Sequence, residues 1–218
     1  MPMAGEGSRF ANAGWTTPKP LIELHGEPLF KHAISSVAAD GIEMKYSFIV
    51  RHEHIGKYGI DEGIRSFLPE ANVFSVLKTT RGAVETCLMA ESAIDDDDAV
   101  IVMDCDLEFR SVRFIEIIKA ILSKPTEEVN GGALVSFESN EPKYSYAELG
   151  ADGFVCRTAE KEYRRTDTHS LHHTDKVMHV VGVRGQARLQ AGHGEAVDLV
   201  AGEVHNSSEQ IMPQALGS

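Results

Sequence analysis

The chain has 218 residues, of which 42% are hydrophobic, and its formal net charge is −12 at pH 7. A chain of this size forms one large domain or two small ones and can bury a sizeable core. The negative charge argues against a nucleic-acid backbone as main partner, and no apolar run reaches the ~18 residues that span a bilayer, so no nucleic acid and no membrane is predicted as partner.

The cysteines and the N-terminal residues indicate the cellular compartment of the protein. Cys87, Cys105 and Cys156 are scattered, odd in number and form no Cys-x-x-Cys pair. Reduced thiols are the simplest interpretation. The N-terminus lacks the basic stretch and long apolar stretch that are typical of a signal peptide. The sequence therefore predicts a cytoplasmic location.

Strands and helices are predicted to alternate along most of the chain. Hydrophobic periodicity and turn residues predict, in chain order, a helix over 27–41, a strand over 45–50, a helix over 54–70, a strand over 72–77, a helix over 82–94, a strand over 99–109, a helix over 113–122, a strand over 131–137 and a hairpin over 144–155. This alternation indicates an α/β fold with a mostly parallel sheet flanked by helices. Ligands of such sheets bind beyond the carboxyl ends of the strands.

The last quarter of the chain differs in composition. Every Phe, Tyr and Trp lies at or before Tyr163, whereas six of the ten histidines follow it. A packed core normally needs large side chains. We therefore predict one domain over 1–162 and an atypical C-terminal segment over 163–218 that is divergent or poorly ordered.

The opening loop, "MAGEGSRFANAGWTTPKPL", is the first cluster with a chemical meaning. Gly5 and Gly7 let a ligand approach the backbone, whose N–H groups can bind phosphate oxygens. Arg9 adds guanidinium donors that match phosphate, and the prolines on both sides of Lys19 stiffen the backbone. No dinucleotide fingerprint or P-loop is present, and residues 11–20 are predicted to continue as loop. An exposed turn with incidental charges is the alternative to a phosphate-binding loop.

Two acids form a second cluster. Asp104 and Asp106 lie two apart at the end of the predicted strand 99–109, and so share a face, with Cys105 on the other as a small buried residue. Two carboxylates at a strand end suit a magnesium ion that bridges phosphate oxygens. Acidic capping of the strand is the alternative. Gly82 begins a predicted helix, where it would admit a nucleobase or phosphate, and a plain helix start is equally consistent.

Histidine-rich stretches and one aromatic residue raise further alternatives. "HEH" at 52–54 and "HSLHH" at 169–173 have the spacing of metal ligands, although short clusters of this kind are more often solvated. Trp15 would either line a ligand pocket or pack on the core.

Taken in order, "PMAGEGSRF", "TTPKPL", "TTRGA", "DCD" and "AEKE" make residues 1–162 resemble the sugar-phosphate nucleotidyltransferases, or NDP-sugar pyrophosphorylases. The branch they resemble serves bacterial capsule and surface-polysaccharide synthesis. The resemblance implies a Rossmann-like, GT-A-like fold. It also implies that the partners are an NTP and a sugar 1-phosphate, with Mg²⁺ as cofactor. An assembly of identical chains is left open.

The resemblance also implies roles for individual residues. Arg9 and Lys19 would be catalytic and contact the phosphates. The nucleotide would be bound by Ala4, Gly5, Gly7, Ser8, Thr80 and Gly82.

The remaining motifs would bind the metal and the sugar. Asp106, with Asp104 beside it, would hold Mg²⁺. Glu160 and Lys161 match the family's Glu-Lys pair, which contacts the sugar phosphate.

The implied reaction needs cations more than a base. A sugar 1-phosphate oxygen would attack the α-phosphorus, and that oxygen is mostly ionised at neutral pH because its pKa is about 6. Cations would let two anions meet and would stabilise the leaving pyrophosphate. A GT-A-type glycosyltransferase and a catalytically disabled nucleotide-binding protein are the rival interpretations.

The sequence departs from the family pattern at two places. Only Met1–Met3 precede the opening loop, so the first strand is predicted to be short. After "AEKE", the family's Gly-x-Tyr strand, aromatic-rich stretch and further metal-binding acid are not visible. A truncated, frame-shifted or divergent tail is the hypothesis, and each of these would affect the sugar-binding half of the site.

Overall fold

The computed structural model describes residues 1–95, 98–124, 132–137, 145–150, 155–160, 174–178, 197–201 and 203–206. The chain divides into two units: the first is Met1–Asp95, Val102–Phe109 and His205–Ser218, and the second is Asp96–Ile101 and Arg110–Val204. The predicted boundary after residue 162 stays a prediction, because most of the residues that follow it lie outside the described ranges.

Strands and helices alternate along the described part of the first unit. They are, in chain order, β1 (Pro2–Met3), α1 (Ser8–Asn12), a 3₁₀ helix (Lys19–Leu21), β2 (Glu23–Leu24), β3 (Glu27–Pro28), α2 (Leu29–Val37), β4 (Ser47–Arg51), α3 (His52–Tyr58), α4 (Ile60–Phe67), β5 (Asn72–Val76), α5 (Ala83–Leu88), a second 3₁₀ helix (Glu91–Ala93) and β6 (Leu107–Arg110). The first strand is as short as predicted.

A parallel sheet in the order β1-β4-β5 organises this unit. Met3 pairs with Val50, and Arg51 pairs with Val76, so all three strands end near one edge. The loops that follow β1 and β5 therefore leave the sheet at the same edge.

Residues of β4 alternate between two packed layers, as a strand covered on both faces requires. Phe48 and Val50 pack against α2 and α4, whose contributing side chains are Phe30, Ile34, Ile60 and Ile64. Ile49 points the other way and packs with Val76 and Ala90. The predicted α/β fold, with a parallel sheet flanked by helices, is confirmed.

The helix predicted over 54–70 is two helices. Gly59 has a φ of +60°, in the left-handed region, where it ends α3 and precedes α4. Glycine reaches this conformation without a steric penalty, which explains the break.

The strand predicted over 99–109 is wrong in position. Residues 98–106 form no strand, and β6 begins at Leu107, after the acids. Contacts with α2 account for this placement, because Ser36 Oγ accepts a hydrogen bond from the Phe109 N–H at 2.9 Å. Leu107 and Phe109 are buried, so the strand alternation begins only there. β6 pairs with β12, which spans Glu203–Asn206.

The second unit combines one helix with a mixed sheet. Its described elements are α6 (Val112–Leu122), β7 (Gly132–Phe137), β8 (Ser145–Leu149), β9 (Val155–Glu160), β10 (Thr174–Met178) and β11 (Val197–Ala201). The sheet order is β11-β7-β10-β8-β9, in which β11 and β7 are parallel and the other neighbours are antiparallel. The predicted helix over 113–122 is confirmed. The predicted hairpin is also present as β8 and β9, but its second strand extends to Glu160, beyond the predicted range of 144–155. The antiparallel character of this sheet was not predicted.

No helix among the described residues is long and apolar enough to cross a membrane.

We expect the two glycines at and near the start of α4 to respond oppositely to alanine. Gly59→Ala should destabilise the protein by about 1–2 kcal/mol, because an L-residue is strained at a φ of +60°. Gly63→Ala should stabilise it by about 0.5–1 kcal/mol, because Gly63 lies inside α4 with no heavy atom near an added methyl group. Urea denaturation of both variants measures the two effects. Equal effects of the same sign would contradict this account.

Candidate functional site

A pocket of about 360 Å³ lies beyond the carboxyl ends of β1 and β5. The loop after β1, the loop after β5 and the turn before β6 meet there. The predicted site residues that line it are Ala4, Gly5, Gly7, Ser8, Arg9, Lys19, Thr80, Gly82, Asp104 and Asp106. The structure thus brings together residues that are far apart in the sequence.

The opening loop turns into the short helix α1, so the prediction of continuous loop over 11–20 is wrong at its start. Gly7 has a φ of +60°, and its carbonyl oxygen accepts hydrogen bonds from the N–H groups of Phe10 at 2.9 Å and Ala11 at 3.1 Å. Phe10 is buried in an apolar cluster and anchors the loop. Arg9 stays exposed at the pocket, and among the described residues no hydrogen bond or ion pair engages its guanidinium.

Three glycines of the pocket have different reasons to be glycine. Gly7 lies in the left-handed region, which disfavours any larger residue. A methyl group added at Gly5 or Gly82 would meet no heavy atom of the described residues within 4 Å, and neither glycine has a left-handed φ. Packing of the described residues therefore does not require glycine at these two positions.

Lys19 and Asp106 form an ion pair inside the pocket. Lys19 Nζ lies 2.8 Å from Asp106 Oδ2, and the exposed fractions of the two side chains are 24% and 7%. Burial by itself lowers the pKa of Lys19, but the negative groups around it, Cys105 when ionised, then Asp106 and Asp104, raise the pKa above its ordinary value. Lys19 is therefore a cation at neutral pH.

Residues 104–106 are a turn rather than a strand, so the predicted shared face of the two acids is wrong. Asp104 is exposed, whereas Cys105 and Asp106 are both buried. All three still line the pocket. Burial raises the pKa of Cys105 to about 12, so this residue is a neutral thiol at physiological pH. It packs in the core cluster with Met3 and Val50, as the small buried residue that was predicted.

Two threonines order the loop that precedes α5. The hydroxyl oxygens of Thr80 and Thr86 lie 2.6 Å apart, and both lie within hydrogen-bond distance of the Gly82 carbonyl oxygen, at 3.2 and 3.0 Å, so one hydroxyl donates to the other and the second donates to the carbonyl. Thr86 is buried and lines the pocket, but it was not predicted from the sequence. The available signal was a threonine four residues after a helix-starting glycine, a spacing that lets its hydroxyl reach the i−4 carbonyl.

A second hydrogen-bonded chain connects the loops at the sheet edge. The Thr79 hydroxyl donates to Glu6 Oε1 at 3.1 Å and accepts from Arg51 Nη1 at 3.2 Å. Glu6 follows β1, Thr79 follows β5, and Arg51 ends β4, so the network joins the ends of all three parallel strands. None of the three residues was predicted as part of the site, because the contact depends on strand order.

The pocket offers oxygen ligands for a magnesium ion. Mg²⁺ in nucleotide sites is held by one or two carboxylates together with substrate phosphates and water. Asp106 and Asp104 provide two carboxylates next to a cationic loop, so the residues fit, although Lys19 engages Asp106 Oδ2. Within the described ranges no group of three or more His, Cys, Asp or Glu is arranged to hold a metal.

The other predicted site residues are only partly described. Glu160 is the last residue of β9, where its backbone pairs with Ser145. Lys161 lies outside the described residues, as does the histidine cluster over 169–173. His54 in "HEH" is half-buried on α3, and burial lowers its pKa. Its ring lies edge-on to Tyr58.

Trp15 belongs to the core rather than to the lining of the pocket. It packs against the apolar cluster of Phe10, Ile22, Leu24 and Leu29. Of the two alternatives that the sequence left for this residue, the structure selects core packing.

Comparisons with known proteins agree with this fold. No protein-family model matches the chain. It is 33% identical over 125 residues to the 2-C-methyl-D-erythritol 4-phosphate cytidylyltransferase of Chromobacterium violaceum, a match that covers 56% of the chain and 52% of that protein. The chain thus spans about half the length of the curated relative it matches.

Two solved structures are similar over nearly their whole length. The nucleoside-diphosphate-sugar pyrophosphorylase from Vibrio cholerae RC9 has a TM-score of 0.68 at 22% identity, with all of both chains covered. The inositol-1-phosphate CTP transferase from T. maritima has a TM-score of 0.65 at 13% identity, with 100% and 95% covered. The neighbours are NDP-sugar pyrophosphorylases and related nucleotidyltransferases, and the chain has their GT-A-like fold, as its motifs predicted.

We expect Cys105 and Cys156 to differ strongly in their rates of reaction with a thiol reagent at pH 8. Cys105 should stay unreactive in the folded protein, because it is buried and because a pKa of about 12 leaves it protonated far above neutral pH. Cys156 is exposed and should react first. Ellman's reagent, added before and after denaturation, measures this. A fast phase that survives Cys156→Ser and disappears in Cys105→Ser would contradict the burial of Cys105.

Removing one hydroxyl should loosen the loop before α5. We expect Thr86→Val to lower the free energy of unfolding by about 1–2 kcal/mol, because the variant loses the hydrogen bonds that the buried Thr86 hydroxyl makes with the Thr80 hydroxyl and the Gly82 carbonyl oxygen. Thr86→Ser keeps the hydroxyl and is the matched control. Thermal or urea unfolding of both variants tests the network, and equal stability of the Val and Ser variants would contradict it.

Proposed function

We propose that this chain transfers a nucleotidyl group from a nucleoside triphosphate to a sugar phosphate, with release of pyrophosphate. The main observation in support is that one pocket is lined by three parts of the chain: the opening loop with Arg9, the Thr80–Gly82 segment and the Lys19–Asp106 pair. The names of the relative and the structural neighbours, all of which describe nucleotidyl transfer or the making of activated sugars, support this reaction class.

In this proposal the two cations act on the phosphates. Arg9 is exposed beside the pocket and would bind the β- or γ-phosphate through its planar donors. Lys19, charged at neutral pH, would contact the phosphate at which the bond breaks. The sugar phosphate and the triphosphate are both anions and repel each other. Positioned cations reduce this repulsion and so lower the barrier to the reaction.

The backbone would supply the rest of the nucleotide site. Ala4, Gly5, Gly7 and Ser8 would bind the phosphates, and Thr80 and Gly82, which line the same pocket, would contact the rest of the nucleotide. Because no described residue has a heavy atom within 4 Å of a methyl group added at Gly5 or Gly82, a ligand atom could approach their backbone closely.

The proposed reaction needs no general base, because the attacking oxygen is already ionised. An ionised oxygen of the sugar phosphate forms a bond to the α-phosphorus, and the bond from that phosphorus to the bridging oxygen of pyrophosphate breaks. The electron pair stays with the leaving pyrophosphate, whose charge Arg9 and Lys19 would neutralise. Mg²⁺, bound by Asp106 and Asp104 when present, would add Lewis-acid stabilisation of the phosphate charge.

The acceptor side and the biological setting remain proposals. Glu160 and Lys161 would contact the sugar phosphate, and the nucleotidyltransferase domain would span residues 1–162. The chain would serve capsule or surface-polysaccharide synthesis in the cytoplasm. A glycosyltransferase of similar fold is disfavoured by the Arg9 and Lys19 pair, which suits a triphosphate.

Pyrophosphate release tests the proposed reaction directly. The purified chain is mixed with Mg²⁺, each of the four common NTPs and a panel of sugar and polyol phosphates, and pyrophosphate is measured. We expect release that needs both substrates. A folded protein that binds an NTP but releases no pyrophosphate with any pair would contradict the proposal and favour a nucleotide-binding protein without catalysis.

Arg9→Ala should lower turnover by about 10³- to 10⁵-fold, the range that a catalytic arginine is worth. Arg65→Ala is the matched control, because Arg65 lies on α4 and pairs with Asp61 away from the pocket. Its turnover should stay within about twofold of the wild type. A loss below tenfold in the Arg9 variant would refute the assigned role.

The variant Gly82→Ala tests whether glycine is needed at position 82 for nucleotide binding or for folding. We expect the unliganded variant to unfold within about 0.5 kcal/mol of the wild type, because the added methyl group meets open space. The dissociation constant of the NTP should rise at least about tenfold if the nucleotide contacts the Gly82 backbone. Calorimetric titration measures binding, and unchanged affinity would remove Gly82 from the nucleotide site.

A further inference from the structure

The Lys19–Asp106 pair occupies the position where the proposed function requires a metal. Asp106 is the more buried of the two pocket carboxylates, and its Oδ2 lies 2.8 Å from the ammonium of Lys19. Lys19 begins a 3₁₀ helix between Pro18 and the buried Pro20, so its backbone is held in place. The stiff segment therefore fixes the position of the Lys19 backbone beside the pocket, whereas the ammonium ends a flexible side chain.

A lysine and a magnesium ion compete for this oxygen. Mg²⁺ binds oxygen ligands at about 2.0–2.1 Å in nearly ideal octahedral geometry. An ammonium at 2.8 Å from the same Oδ2 would place two cations within a few ångströms of each other. Their repulsion is stronger in a partly buried site than in water, because the effective dielectric constant is lower there. Lys19 must therefore leave Oδ2 when the metal arrives there.

A nucleotide would make that exchange favourable. A displaced ammonium needs an anion, and the triphosphate proposed for this pocket brings several phosphate oxygens within its reach. The metal alone brings no such anion, so it must displace the lysine without compensation. Metal and nucleotide would then each favour the binding of the other.

We propose that Lys19 acts as a placeholder for the divalent cation on Asp106, so that metal binds weakly before the nucleotide and tightly together with it. The inference rests on the proposed function, because that assigns the metal to Asp106. It makes Lys19 a switch between two anions of one site: the carboxylate in the unliganded protein and a phosphate in the loaded one.

The test is a metal titration without nucleotide. Free Mn²⁺ is measured by electron paramagnetic resonance as it is added to the protein at fixed ionic strength. We expect Lys19→Gln to bind one Mn²⁺ at least about tenfold more tightly than the wild type, because the competing ammonium is gone. Adding Asp106→Asn to this variant should abolish the gain.

A second pocket cation provides the control for general electrostatics. Arg9→Gln removes the same unit of charge from the pocket, but among the described residues Arg9 makes no hydrogen bond or ion pair with Asp106. Its Mn²⁺ affinity should change by less than about threefold, since an exposed charge is screened. Lys19→Arg keeps the charge and should bind as weakly as the wild type. Equal tightening in the Lys19→Gln and Arg9→Gln variants, or none in Lys19→Gln, would overturn the proposal.

A measurement on the wild type covers the case in which Lys19→Gln does not fold. The ¹³Cε resonance of Lys19, assigned by its loss in Lys19→Arg, is followed as Mg²⁺ and a non-hydrolysable NTP are added singly and together. We expect Mg²⁺ alone to leave it nearly unchanged and the pair to shift it. A full shift with Mg²⁺ alone would overturn the proposal. Neither experiment depends on turnover. If pyrophosphate release is normal but Lys19 does not compete with the metal, only this inference is refuted. If Lys19 competes with the metal as expected but no pyrophosphate is released, only the proposed transferase reaction is refuted.

Discussion

The burial of β4 between two neighbours and two layers is the constraint on which the pocket depends. Because Phe48 and Val50 pack on one face and Ile49 on the other, the strand cannot slip in register without exposing its apolar residues. Its parallel partners are thereby held with their carboxyl ends together. The loops after β1 and β5 can then form the two sides of one pocket.

Charge is distributed so that the pocket differs from the rest of the molecule. The chain carries a net charge of −12, yet Arg9 and Lys19 both line this pocket. Lys19 is balanced by Asp106, and Glu6 is bound by Thr79, which in turn contacts Arg51. Because Asp104 and Asp106 line the same pocket, its lining is formally neutral in an otherwise acidic protein, which is consistent with anionic ligands that arrive with a divalent cation.

Local patterns predicted those features that local interactions control. The helix over 113–122 follows from its periodicity and from Ser111, whose side chain accepts a hydrogen bond from the Phe114 N–H. The opening loop and the acidic pair were likewise recognisable, because Gly, Arg and Asp have few structural reasons to recur at these spacings. The strand over 99–109 was misplaced because an apolar run does not reveal which neighbour it will pair with.

The amino-acid order alone was enough to establish the α/β alternation, the residue types of the site and the family they resemble, since these depend on periodicity and on side-chain chemistry. Only the folded chain decided that Lys19 contacts Asp106, that Thr86 orders the loop of Thr80, and that Asp106 is buried while Asp104 is exposed. Each of these contacts joins segments whose distance in space depends on strand order and on packing across the sheet. Strand order and packing across the sheet are not encoded in any short stretch of sequence. The residues of the candidate site could therefore be named from the sequence, but the interactions among them could not.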